Sequence, residues 1–181
     1  MIKDMKPELE LKHIAPYLPY GLEWKRNNDD STYEVTSIDT SMPHVLAELG
    51  FCNKEEFGID SIDKGKPILR PISSMTKEEA KEFSMLALSH CVKDDSSLLD
   101  LDVKTDKVSG TTINCSFSEI MFNYIHTVTT YSICVCGDFI KIVDKETGQV
   151  VSVSYSLYEW LFENHFDVFG LIDKGLAIEK K

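Results

Sequence analysis

The sequence predicts an α+β fold: a β-rich N-terminal part, a central amphipathic helix, and a C-terminal β-hairpin followed by an aromatic-rich helix. Three observations predict it. The first seventy residues and residues 108–154 are rich in β-branched and aromatic types broken by turn formers. Residues 77–92 carry apolar positions at three- and four-residue spacing. Residues 158–172 crowd Tyr158, Trp160, Phe162, Phe166 and Phe169 among aliphatic residues, beside His165 and Asp167.

Taken in order, residues 8–18 predict a short helix halted by Pro16 and Pro19, because proline disfavours helical backbone in the residue before it. Residues 20–25 and 33–39 read as two strands of a hairpin, joined by the turn-forming run at 27–31. A second strand-like pair, 44–49 and 57–62, leads to an extended connector at 66–71 imposed by Pro67 and Pro71. Ser74 or Thr76 is placed to cap the helix at 77–92, with Glu78 and Glu79 near its positive end. Its apolar stripe is Ala80, Phe83, Ala87, Leu88 and Cys91.

Residues 93–109 are acidic and serine-containing, and predict a solvated connection with a short amphipathic element. Strands are expected at 111–117, 127–136 and 139–143, with a helical turn at 118–124 as an alternative for that interval. The run 144–148 ends in Gly148, suited to a positive φ, and joins 140–143 to 149–154 as the clearest hairpin. Leu157, Trp160, Leu161 and His165 then fall on one helical face that ends near Gly170, before a last strand or turn at 171–178. At 181 residues the chain suits one compact domain, 1–181, with a possible division into 1–72 and 73–181.

Nineteen basic against 30 acidic residues give a net charge of -11, which opposes binding to a phosphate backbone. Residues 1–8 contain no apolar stretch of signal-peptide length, and no later run approaches a membrane span, so a cytoplasmic protein without a membrane partner is expected. Five cysteines, an odd number in apolar or strand-like settings, suit a reducing compartment. Cys134 and Cys136 lack the second chelating pair that zinc requires, and no metal or cofactor is expected.

His165 and Asp167 form the most suggestive polar pair, since a carboxylate can orient an imidazole base. The plainer reading packs His165 under the aromatics and has Asp167 cap the following turn. Ser152, Ser154 and Ser156 alternate as on a strand, without the glycine context of a nucleophile elbow. The charges Asp138, Lys141, Asp144, Lys145 and Glu146 are divided between hairpin faces, which weakens a magnesium-nuclease reading. No catalytic residue is assigned, and the chain is not expected to be an enzyme.

Three blocks carry a resemblance: residues 14–22 (IAPYLPYGL), 66–73 (KPILRPIS) and 165–177 (HFDVFGLIDKGLA). They resemble an uncharacterised bacterial prophage-associated family. The resemblance implies a phage- or prophage-derived protein of a bacterial host cell, and no activity. The function expected is that of an accessory protein acting through a phage or host protein partner. Two surfaces are candidates: an aromatic patch of Trp160, Phe162 and Phe166, or the carboxylates Asp94, Asp95, Asp100 and Asp102. An acidic inhibitor that mimics nucleic acid is the alternative, and it needs carboxylates on one face with basic residues elsewhere. A further alternative is an enzyme whose site lies near His165 and Asp167.

Overall fold

The computed structural model of the chain describes residues 8–27, 31–39, 48–52, 57–92, 97–106, 110–121, 125–136 and 139–181. Its elements in chain order begin with helix α1 (Leu11–Ile14), a 3-10 helix (Ala15–Tyr20), and strands β1 (Glu23–Arg26), β2 (Thr32–Asp39), β3 (Glu48–Cys52), β4 (Phe57–Ser61) and β5 (Gly65–Leu69). Helix α2 (Lys77–Ala87) follows, then strands β6 (Ser97–Asp106), β7 (Gly110–Met121), β8 (Ile125–Cys136), β9 (Phe139–Asp144) and β10 (Val150–Val151). Helix α3 (Tyr155–Glu163) and strand β11 (Ile178–Glu179) complete it. The chain is α+β, and it divides into two units: residues 1–71 with 161–181, and residues 72–160.

The first unit holds a six-stranded sheet in the order β11-β5-β1-β2-β3-β4, antiparallel except where β11 runs parallel to β5. Trp24, Tyr33, Val35 and Leu69 alternate into its core. Gly65 is required by close approach: a methyl there would overlap the Trp24 indole. The helix expected at 8–18 is shorter, because Pro16 and Pro19 tighten residues 15–20 into a 3-10 helix. That helix consumes the start of the strand expected at 20–25, which begins at Glu23. The expected connector at 66–71 is instead mostly strand β5. β11 pairs only with Ile68 and Leu69, so Pro67 sits where β5 is still a sheet edge, a place that tolerates a missing N–H. Of the strand expected at 44–49, residues 44–47 lie outside the described residues, and β3 starts at Glu48.

The second unit is an antiparallel five-stranded sheet, β10-β9-β8-β7-β6, with α2 against β6 and β7. Ile113, Cys115, Phe117, Tyr131, Ile133, Ile140 and Ile142 bury its inner face, and Ala80, Phe83 and Ala87 bury one face of α2, with Leu88 buried just past its end. Thr76 caps α2, with a reciprocal bond between its own N–H and Glu79 Oε2 at 2.8 Å. Asp144 Oδ1 accepts from the N–H groups of Glu146 and Thr147, and Gly148 completes the turn at φ 70°. Val150 then pairs with Val143.

Three expectations fail in this unit. The solvated connection at 93–109 is largely the ten-residue strand β6, because Asp100, Asp102 and Lys104 alternate with Leu101 and Val103. The helical turn at 118–124 is absent from its described part, since β7 continues to Met121. Ser154 directly precedes α3 and Ser156 lies in its first turn, with the Ser156 N–H donating to Ser154 Oγ at 3.3 Å, and β10 is only two residues long.

Candidate functional site

His165 and Asp167 lie beyond α3, which ends at Glu163 and not near Gly170. His165 takes a left-handed backbone at φ 56°, and its N–H donates to the Phe162 carbonyl, closing the last turn. Both Asp167 oxygens are committed to backbone: Oδ1 accepts from Leu171 N–H and Oδ2 from Ile172 N–H, each at 2.8 Å. Burial pushes the Asp167 carboxyl above its ordinary range, while those two bonds pull it back. Among the described residues His165 Nε2 is buried without a hydrogen-bond partner, and burial lowers the imidazole pKa. Lys180 lowers it further, against Glu23 and the carbonyls of Gly21 and Tyr20. The pair does not come together as base and orienter: Asp167 caps a turn.

Around this pair the three sequence blocks meet. The Tyr17 hydroxyl donates to the Phe166 carbonyl at 2.7 Å and accepts from Val168 N–H at 3.2 Å. Arg70 N–H donates to the His165 carbonyl, Asp167 N–H donates to the Arg70 carbonyl, and the Arg70 guanidinium lies 4.4 Å from the Phe166 ring centroid. The proline- and aromatic-rich composition of these blocks is therefore answered by packing within the first unit. Sequence spacing could not reveal that Tyr17 and Arg70 belong to this cluster, because the contacts join residues about a hundred or more positions apart.

The aromatic patch does not exist as a surface. Trp160 is 8% exposed, Phe162 6% and Phe166 0%. Large rings gain most by leaving water, and these find partners: Trp160 meets Phe83 at 5.3 Å between centroids, and Phe162 meets Tyr17 at 5.0 Å.

The carboxylates fare differently. Asp94 and Asp95 lie outside the described residues, whereas Asp100 and Asp102 are on β6, the terminal strand of its sheet. Among the described residues no strand pairs with the outer edge of β6. The Leu101 N–H donates to Asp100 Oδ1 at 2.9 Å, the kind of bond a backbone donor makes when no strand stands opposite it. The alternation of an antiparallel ladder turns the N–H groups of Val103 and Thr105 the same way.

Beside this edge an open groove of about 370 Å³ is lined by Lys77, Glu78 and Lys81 of α2 and by residues 98–101 of β6. A register shift between Leu98 and Asp100 leaves Leu99 out of the ladder and 56% exposed. Lys104 Nζ pairs with Asp102 Oδ2 at 2.9 Å. The available signal for this site was the alternation across residues 100–104, masked by aspartate's low strand preference.

Among the described residues no cluster of three or more His, Cys, Asp or Glu side chains is disposed to hold a metal, and no helix is long and apolar enough to cross a membrane. No protein-family model, no curated protein and no solved structure matches the chain.

Proposed function

We propose that this chain is an accessory protein of phage or prophage origin that acts by holding a protein partner, and that it does so along the edge of β6 that no described strand covers. The observation that carries the reading is a ten-residue strand at the end of its sheet, with the Leu101 N–H met by the side chain of Asp100. Exposed strand edges are templates for an added strand, and main-chain hydrogen bonds give such contacts their affinity. The phage origin rests on the three sequence blocks alone. The nucleic-acid mimic is the weaker reading, because Lys104 stands on the same face as Asp100 and Asp102 and is paired with Asp102. An enzymatic site at His165 is also weaker, since both Asp167 oxygens already cap backbone N–H groups.

Affinity purification from prophage-bearing cells tests the reading when it is run with the wild-type chain and with Val103→Pro. Proline there deletes an outward N–H without removing one from the pairing with β7. A partner retained by the wild type and lost by the variant supports the proposal. A partner retained equally by both overturns the assignment to this edge.

A further inference from the structure

Resting on that reading, the geometry points to the partner's chemistry: we infer that the edge of β6 takes up an extended segment of another protein in which basic and apolar residues alternate. An added strand would place alternate side chains on the two faces of the sheet. On the outer face they would stand beside Asp100 and Asp102, both solvent-accessible, with Lys104 the only positive charge in that row. On the inner face they would stand beside half-buried Leu101 and Val103 and enter the groove bounded by the stems of Lys77 and Lys81 and by exposed Leu99.

The charge row decides the occupant. A second copy of β6 gains little, because antiparallel pairing centred on Val103 sets two Asp102–Lys104 attractions against two Asp100–Asp106 repulsions, and pairing centred on Asp102 opposes Asp102 to itself while offering Asp100 to Lys104. A basic segment meets attraction at positions 100 and 102. It is also steered toward the site by the chain's overall charge of -11.

The shape of the edge fits selective pairing more than open aggregation. The bulge at Leu99 and the charges at 100, 102 and 104 are the devices that keep an exposed edge from pairing indiscriminately. They leave the edge open to a strand of complementary charge while rejecting flat apolar ones. The Asp100 carboxylate would release the Leu101 N–H to a carbonyl of the incoming strand and turn to a basic side chain.

The test is fluorescence anisotropy with labelled peptides of the length of β6 added to the intact protein. One peptide alternates valine with lysine, a second valine with glutamate, and a third is the lysine peptide N-methylated at alternate residues. Expected is binding of the lysine peptide that weakens as salt rises, no measurable binding of the glutamate peptide, and loss with the N-methylated one. The double variant Asp100→Asn/Asp102→Asn should weaken the lysine peptide about tenfold, the effect of two exposed charge pairs. Equal binding of the lysine and glutamate peptides would overturn the inferred charge preference while leaving the edge reading intact. Undiminished binding of the N-methylated peptide, together with undiminished binding by a folded Val103→Pro variant, would overturn the edge reading itself. Failure of the lysine peptide to bind at low salt overturns the inference outright.

Discussion

At the scale of single residues, His165 couples the C-terminal segment to pH. Its Nε2 is buried and its pKa is lowered, so the folded state favours neutral imidazole. At high pH both folded and unfolded chains carry it neutral, and it contributes no pH dependence. As pH falls through about 6.5, the unfolded chain takes up the proton first and the folded state loses stability relative to it. Asp167, whose carboxyl is raised, acts oppositely at lower pH, because the folded chain binds that proton more readily. Replacing His165 with asparagine, which accepts the left-handed backbone at φ 56°, should flatten the decline between about pH 7 and 5. Urea midpoints measured across that range check it, and an unchanged slope would count against the assignment.

At the scale of elements, capping and pairing carry more than propensity. Helix α2 has only eleven residues, short for independent stability, and depends on its cap and its buried stripe. The Thr76 hydroxyl accepts from Glu79 N–H at 3.2 Å, so Thr76→Ala should cost about 1 kcal/mol, read as a lowered urea midpoint. An unchanged midpoint would show that Thr76 does not cap the helix. Strands β7 and β8, twelve residues each, pair from Thr111 with Val135 to Met121 with Ile125, which explains why residues 118–121 are strand despite a locally ambiguous pattern. Cross-strand contacts there outweigh local preference.

At the scale of the whole molecule, the aromatic C-terminal run serves two cores. Trp160 belongs with Phe83 in the second unit, while Phe162 and Phe166 belong with Tyr17 and Arg70 in the first. Trp160→Ala should therefore cost about 3–5 kcal/mol, as truncation of a buried ring does. The same unit buries Cys115, whose thiol is pushed up to about 11 by burial. In the native protein at pH 8 this cysteine should resist iodoacetamide, and Trp160→Ala should accelerate its alkylation. Rapid modification of the wild type would contradict the packing.

The sequence by itself determined the α+β class, the capped start of the helix at Lys77, though not its end, which is expected at 92 and falls at Ala87, the turn at 144–148 and the shared helical face of Leu157, Trp160 and Leu161. Each rests on local sequence pattern. It also supplied the reading in which Asp167 caps a turn, because aspartate just beyond a helix has few other local partners. Only the tertiary structure decided that Tyr17, Arg70 and Phe166 form one cluster, that acidic residues 100–102 lie on a strand, and that this strand ends its sheet. The physical reason is that strand order and edge status depend on pairings between distant segments. Period-two patterning fixes which face a side chain takes but says nothing of which neighbour, or whether any neighbour, stands beside it.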